Sequence, residues 1–497
     1  MKKLEIRPKI TEILSHTQQA EATSQLTNDI LELSEELDAQ PGTIRWDLVC
    51  FRAKQQLIDT YEVDPLVISY WDDFWSRTTK TIRHSPSHLY DPPRVYNLLL
   101  HSESVFEELK QSYLMLQKSK GASLPDDFLD VFFRIRNSVT PEISPGEVDI
   151  FRAAIQRQTL SPSKLSEIVD TTKGYVSRVV GSLVERGLLT EAVRFSYRAL
   201  KLKVMSLLIE MDNLDAALPR GFTSDNPWLH SVTDCKFGNR FIMTYFIVPL
   251  TWRSRRELSS WRRRLLTIPR VTDVHILERT EHKCWRNYNY EWFDGSEWHL
   301  PTGTYAPFIK SKMSEEVKKL PTQAAPPDLD NFVLQTLDVE VLGTLWESGR
   351  LSVRELRERL SKDYNAVRKR YSELVDRNIL RVRIHPTSLF ASGNMTLVSH
   401  LDETMHTRLT HALTCLPEVY AERTRDGYSI HTIRIPEGHE DTVADTLNTI
   451  LKGKERWLMQ HTDRTFANWS FPMDRWMPQH REWRVEESDF GVEFNED

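Results

Sequence analysis

Residues 161–189 read SPSKLSEIVDTTKGYVSRVVGSLVERGLL, and the reading of the whole chain turns on this stretch. Ser161 is a good N-cap, and Pro162 fits the first helical position, where its missing N–H costs nothing. Leu165 and Ile168 give the helix an apolar face. Asp170, Thr171 and Thr172 make a turn. The spacing predicts a further helix over 173–186, with Val176, Val180 and Leu183 facing inward. Gly187 follows as the left-handed stop that a helix C-terminus prefers. Upstream, Val148, Phe151 and Ile155 mark one face of a helix that starts near Ser144. Downstream, Leu188, Leu189 and Val193 begin a strand, and 194–203 is rich in bases.

The pattern returns near residue 338. Val341, Leu342 and Leu345 form a first helix. Ser352-Val353-Arg354-Glu355 is a capping box, and Leu356 and Leu360 face inward. Asp363 caps a third helix carrying Val367, Tyr371 and Leu374. Asn378 stands where Gly187 stood and tolerates the same left-handed conformation. Leu380-Arg381-Val382-Arg383-Ile384 alternates as a strand does. Three short helices followed by a hairpin is the winged helix-turn-helix plan, here present twice.

The segments behind the two triplets also match. In the first, strands over 204–211, 230–237, 241–248 and 273–279 enclose a helix over 256–266, with a hairpin at Gly238-Asn239. In the second, strands over 395–400, 419–424, 428–435 and 457–462 alternate with helices over 403–413 and 439–451, with a hairpin at Asp426-Gly427. This is the βαββαβ order of a ferredoxin-like sandwich. Each copy ends in an aromatic tail: Trp285, Tyr288, Tyr290, Trp292 and Trp298, then Trp469, Phe471, Trp476 and Trp483. Such tails cover sheet edges or stack on bases. The fold class is therefore α+β. A helical N-terminal domain (1–143) precedes winged helix-turn-helix 1 (144–203) and ferredoxin-like domain 1 (204–300). A linker with Pro307, Pro321, Pro326 and Pro327 (301–330) leads to winged helix-turn-helix 2 (331–390) and ferredoxin-like domain 2 (391–497).

The net charge of −6 argues against a uniformly basic coat but not against a local basic surface. Residues 361–383 hold seven Lys and Arg against three acids. No stretch approaches the roughly 20 apolar residues of a membrane-spanning helix. The N-terminus has no apolar core of a secretory signal. Cys50, Cys235, Cys284 and Cys415 lie too far apart for a zinc ribbon or a disulfide framework. A reduced, cytoplasmic protein without membrane contact is expected. No phosphate-binding glycine loop, nucleophile elbow or HExxH is present, and His400, His406 and His411 are not spaced to share a helix face. Neither cofactor, metal nor catalytic residue is expected.

A winged helix followed by βαββαβ resembles the Lrp/AsnC family of transcriptional regulators. Residues 161–189 are similar to that family's helix-turn-helix. Residues 228–279, with Ile268-Pro269-Arg270-Val271, are similar to its small-molecule-sensing domain. The resemblance implies a DNA-binding regulator with double-stranded DNA as partner, a small-molecule effector, and no enzymatic activity. Family members often carry an acid three positions after the hairpin glycine; Phe241 and Ile430 stand there, which argues against an amino-acid effector. The family places its third helix in the major groove. The residues off the core face are Thr172, Lys173, Tyr175, Ser177, Arg178 and Ser182 in the first copy. In the second they are Tyr364, Asn365, Arg368, Lys369 and Arg370, with Arg381 and Arg383 on the wing suited to phosphates. Two unlike readers in one chain suggest an intrachain pseudo-dimer, either monomeric or paired as a homodimer. Two other readings stay open: a protein-interaction scaffold of the transcription machinery, and an enzyme resembling siroheme decarboxylases.

Overall fold

A computed structural model describes residues 143–486, apart from 186–187, 213–226, 238, 251, 269–270, 281–284, 318–325, 349–350, 387–392 and 468–470. The helical N-terminal domain expected over 1–143 therefore lies almost wholly outside the described residues. One compact unit comprises Glu142–Ser177, Thr190–Thr465 and Trp469–Asp497, and everything below concerns it unless stated. Arg178–Leu189 and Phe466–Asn468 belong to the other unit.

The α+β plan is present. The first triplet is α1 (Pro145–Arg157), α2 (Pro162–Ile168) and α3 (Lys173–Glu185), followed by β1 (Leu189–Phe195). Ser161 stands at the N-cap of α2 with extended backbone, but its hydroxyl makes no capping bond. Leu165 is buried, whereas Ile168 is 44% exposed and does not join the core. The second triplet is α6 (Thr336–Ser348), α7 (Val353–Leu360) and α8 (Tyr364–Asp376), followed by β7 (Leu380–Pro386). Here the caps act as read. Ser352 Oγ accepts from Glu355 N at 3.2 Å, and Asp363 Oδ1 accepts from Ala366 N at 2.9 Å. Asn378 takes the left-handed conformation (φ 55°).

The wings differ from expectation. Instead of a hairpin in each copy, β1 and β7 pair with each other. Gln158, just past α1, fixes the pair. Its amide oxygen accepts from Ile384 N at 3.1 Å and its amide nitrogen donates to Ile384 O at 3.0 Å. An edge strand that meets a second edge satisfies its free backbone groups there, so neither wing needs its own return strand.

Behind the triplets lie two four-stranded arrays. The first holds β2 (Leu202–Met211), β3 (Leu229–Phe237), β4 (Asn239–Pro249), α4 (Trp252–Leu265) and β5 (Val271–Glu278). The second holds β8 (Gly393–His400), α9 (Glu403–Ala412), β9 (Glu418–Arg423), β10 (Tyr428–Ile435), α10 (Glu440–Ile450) and β11 (Arg456–Ala467). With β6 (Trp285–Tyr288) they form one nine-stranded sheet, ordered β5-β2-β4-β3-β11-β8-β10-β9-β6. Each array follows the ferredoxin-like order, and β3 of the first meets β11 of the second. The ends also meet: Arg279 bridges to Thr424, and Thr280 N donates to Arg423 O at 2.8 Å. One face of each array carries helices, as Phe246 packed edge-on against Trp261 illustrates (5.0 Å between rings). The other faces meet, with Leu208, Phe241, Met243 and Leu277 against Val398, Ile430 and Met459. Phe241 and Ile430 are apolar for that reason.

The tails cover edges and join the copies. β6 adds to the edge strand β9. Ile143 N donates to Gly295 O at 3.1 Å, and Gly295 (φ 118°) is required there, because a Cβ would lie 2.1 Å from the Ile143 carbonyl oxygen. From the second tail, Trp483 Nε1 donates to Leu200 O at 2.6 Å. The segment expected to be a linker contains a helix, α5 (Ala306–Ser314). Its Ile309 and the preceding Tyr305 lie in the core of the second array with Leu397, Leu409 and Leu447. Three apolar side chains, Tyr305, Phe308 and Ile309, outweigh Pro307, which sits harmlessly in the first turn.

Candidate functional site

The outward faces of the third helices come first. Thr172, Lys173, Ser177 and Arg178 are exposed on α3, while Tyr175 and Ser182 are half-buried. Tyr175 donates its hydroxyl to Gly146 O at 3.2 Å. Tyr364, Asn365, Arg368 and Lys369 are exposed on α8. Arg370 is not on that face. It is 9% exposed and forks onto the fully buried Asp338 of α6, with a further bond to Glu373 at 2.7 Å. Burial works against its charge, and Asp338 and Glu373 outweigh burial, so it stays charged but engaged. The wing bases depart too. Arg381 Nε donates to Asn378 O at 3.1 Å. Arg383 is half-buried, and burial lowers its pKa, with Arg286 and Arg194 adding to the effect. Its neighbours are Tyr288, Arg286 and Arg194.

What Arg383 faces is the second candidate. Strand alternation puts Ser206, Tyr245 and Arg279 on the same inner face as Leu208, Met243 and Leu277. In the second array the same rule puts Asn394 and Thr396 with Val398, and Thr432 and Arg434 with Ile430. Glu418, Tyr420 and Glu422 lie opposite Arg434, Thr432 and Ile430, and Arg286 and Tyr288 opposite Tyr420 and Glu418. The intersheet layer is thus apolar at one end and polar at the other.

The polar end is densely bonded. Arg279 pairs with Glu422, donates to Ser206 Oγ at 3.1 Å, and lies 3.9 Å over the Tyr245 ring. Arg286 Nε donates to Glu418 Oε1 at 2.8 Å, and Arg434 Nε lies 4.0 Å from Glu418 Oε2. Tyr288 bonds through its hydroxyl to His385 Nδ1 of β7. Asn394 Nδ2 donates to His461 Nδ1 at 2.7 Å, which leaves the ring proton on Nε2 for Thr396 Oγ1, also at 2.7 Å. On the wing side, His230 lies near Trp346 of α6 (6.1 Å between rings).

Electrostatics define what the end can hold. Burial, then Arg194 and Arg279, pushes His230 down to about 3; burial, then Arg434, does the same to His461. Burial pushes the Tyr245 hydroxyl up to about 12. Burial lowers the Arg434 pKa, whereas at Arg286 the carboxylate of Glu418 outweighs burial. Among the described residues, Arg194, Arg279, Arg286, Arg383 and Arg434 come together here with the carboxylates Glu418 and Glu422. Arg286 and Arg434, although deep in the protein, keep 32% and 29% of their side-chain surface accessible. Deep groups that keep accessible surface line a cleft. Excess buried positive charge is costly unless an anion offsets it. The end therefore suits an anion with several carboxylates, and the Tyr288 hydroxyl, bonded to His385, belongs to it.

No group of three or more metal-ligating side chains occurs among the described residues. No helix among them is long and apolar enough to cross a membrane. The sequence reading missed this end because alternation such as Glu418-Val419-Tyr420-Ala421-Glu422 describes one wet and one dry face equally well. The signal available was Arg434 between Ile433 and Ile435, and His461 just after the apolar run Trp457-Leu458-Met459.

No family model matches the chain, and no curated protein matches it. Two solved structures do. The crystal structure of the siroheme decarboxylase NirDL has 18% identity, a TM-score of 0.40, and covers 69% of this chain and 96% of its own. The same enzyme with an iron-uroporphyrin III analogue has 17% identity and a TM-score of 0.40, covering 66% and 97%. Both are structures of an enzyme, and the expectation of a chain without enzymatic activity is corrected on that finding.

Proposed function

We propose that the polar end of the intersheet layer binds an acidic small molecule with several carboxylates, and that the chain is an enzyme acting on it. The observation that carries the reading is the set of five arginines facing two carboxylates in a deep, partly accessible position. Arginine is the side chain suited to hold carboxylates in pairs. Arginines that hold the ligand's other carboxylates fix its position. A carboxylate left unpaired can then leave as carbon dioxide, its bond electrons passing into a conjugated ring that carries it, and a proton from a donor such as Tyr288 takes its place. A siroheme-type tetrapyrrole belongs to this ligand class. The test is titration of the full chain with iron uroporphyrin III, read by absorbance, followed by incubation with siroheme and mass analysis. A red-shifted bound spectrum and a product short of carboxyl groups support the reading. No spectral change with either tetrapyrrole removes it.

One observation favours a second reading, a sequence-reading DNA-binding regulator. Arg368 and Lys369 are exposed on α8 and have no partner among the described residues. Lys173 on α3 is in the same position. Arginine pairs with guanine edges, and Asn365 beside it suits adenine. Selection from a random duplex pool at about 150 mM salt tests it, since purely electrostatic binding is weakened there. An enriched motif that vanishes in the Arg368→Ala/Lys369→Ala chain supports a reader; no enrichment rejects it.

A further inference from the structure

The helices α4 and α10 occupy the same place in the two βαββαβ copies, yet their charges are opposite. α4 reads WRSRRELSSWRRRL, with six arginines and one glutamate, whereas α10 reads EDTVADTLNTI, with three acids and no base. The helix dipole explains much of this. Glu440 and Asp441 stand in the first turn of α10, and Arg262, Arg263 and Arg264 in the last turn of α4, where each sign is favourable. It does not explain Arg253, Arg255 and Arg256. They crowd the beginning of α4, which has no acid in its first turn and whose dipole repels positive charge.

Burial shows which face is free. Trp261 and Leu265 turn inward, at 1% and 0% exposure. Arg256, Arg263 and Arg264 are exposed and have no partner among the described residues. Arg262 is engaged, donating to Val274 O at 2.6 Å. Arg256 and Arg263 are seven residues apart, so they share one stripe about 10.5 Å long, with Arg264 beside it. Ser259 and Ser260 lie between Arg256 and Arg263 on this side, so the long side chains that can reach out from it are arginines, the residue that binds phosphate in pairs.

We propose that the outer face of α4 is a phosphate-binding surface for a nucleic-acid backbone, separate from the third helices and from the acidic-ligand end. It adds sequence-independent affinity, as phosphate contacts do. The alternative partner is the acidic α10 of a second copy. The length of the stripe and the arginines at its unfavourable end favour a continuous polyanion over three carboxylates.

The test is fluorescence anisotropy of the full chain with a labelled duplex of arbitrary sequence, across a salt series. Arg256→Gln/Arg263→Gln/Arg264→Gln is expected to weaken binding at least tenfold. It is also expected to reduce the slope of log affinity against log salt by about 2 to 3, roughly one unit for each phosphate that is no longer neutralised. Circular dichroism melts confirm that the variant folds, and Glu437→Gln, away from the stripe, serves as the matched surface control. Arg368→Ala/Lys369→Ala is measured beside it, so loss of sequence reading is distinguished from loss of this surface. An unchanged affinity and slope in the α4 variant overturns the proposal. So does an original chain that does not bind the duplex at all. Sedimentation showing that the variant loses self-association while keeping its duplex affinity overturns it in favour of a second copy.

Discussion

The two copies share a plan and differ in what they bury. At matching positions of the third helices, Val179 is 6% exposed in the first copy and Arg370 is 9% exposed in the second. Their partners follow suit. Glu147 stays at the surface and binds Ser144 N at 3.0 Å, whereas the matching Asp338 is fully buried under Arg370. The inner faces of the sheets show the same contrast. Thr396 lies opposite Met459, and Ser206 opposite Leu277. Two residues on, His461 and Arg279 therefore hold matching places, and Arg434 stands where the first copy has Ile247. At Ile247 and Arg434 an apolar side chain in one copy is a charge in the other, whereas at Arg279 and His461 it is the first copy that carries the charge. Repeats that diverge this way keep their fold, because each charge arrives with its partner.

The sharpest way to break this comparison is at Asp338. Asp338→Ala leaves Arg370 buried with only Glu373, and is expected to lower stability by about 3–5 kcal/mol. Asp338→Leu with Arg370→Val, which restores the first repeat's valine at 370 and an apolar residue beneath it, is expected to recover most of that loss. Urea melts of the three chains decide it. If the double variant is as unstable as the single one, the pair does more than replace an apolar contact.

Next in size is the acidic-ligand end. Arg434→Met makes the second inner face more like the first, where Ile247 stands. It is expected to lower affinity for iron uroporphyrin III by about 10- to 100-fold, since a bond to a charged group contributes about 1.5–3 kcal/mol. Arg368→Ala, on the outer face of α8, is expected to leave that affinity unchanged. Absorbance titration gives both values. Equal affinities in the original and the Arg434 variant place the ligand elsewhere.

Much of this architecture was legible in the sequence, and the reasons are physical. Caps and stops are local chemistry, so Ser352, Asp363 and Asn378 announced the second triplet directly. The turn at Asp426-Gly427 set the pairing of β9 with β10, because hairpin register is set by the turn, whereas Gly238 lies outside the described residues. Contacts between copies were not legible. Arg370, Arg381 and Arg383 look like free bases in a basic run, and only the positions of Asp338, Asn378 and Tyr288 show where they go. The pairing of β1 with β7 and the burial of Tyr305 and Ile309 have the same cause: each depends on a surface from a distant part of the chain. The acidic-ligand end is assembled from β2, β3, β4, the end of β5, β6, β8, β9, β10, β11 and both wings, and no window of sequence contains it.

A smaller effect distinguishes His461 from its counterpart Arg279. Arg279 stays charged at every working pH, whereas His461 is neutral when folded, its pKa held to about 3. The unfolded chain has the ordinary value near 6.5, so below that pH the unfolded state takes up a proton that the folded state refuses. Stability is therefore expected to fall by up to about 1.4 kcal/mol per pH unit from this group as pH drops below about 6.5. The loss ends where the folded ring protonates. His461→Gln, which keeps the bonds to Asn394 and Thr396, is expected to flatten that part of the profile. Melts from pH 7 to pH 4.5 read it, and an unchanged slope means that the ring is already charged in the fold.

The smallest effect sharpens the comparison at the helix caps. Ser352 Oγ accepts a backbone N–H at 3.2 Å, whereas the Ser144 hydroxyl donates to the Glu147 carboxylate at 2.9 Å. Both serines stand in a capping box, but only the Ser352 hydroxyl makes a cap bond to a helix N–H; that of Ser144 goes to Glu147. Ser352→Ala is expected to cost about 1 kcal/mol, and Ser144→Ala a few tenths at most. The Ser352 hydroxyl, with its backbone N–H, also holds Glu355 below the usual carboxylate range. Removing the hydroxyl should move the Glu355 titration, followed by carbonyl NMR, back toward its ordinary position. Equal costs for the two serines would mean that each hydroxyl caps its helix in solution, and that the copies differ in their cores but not at their helix starts.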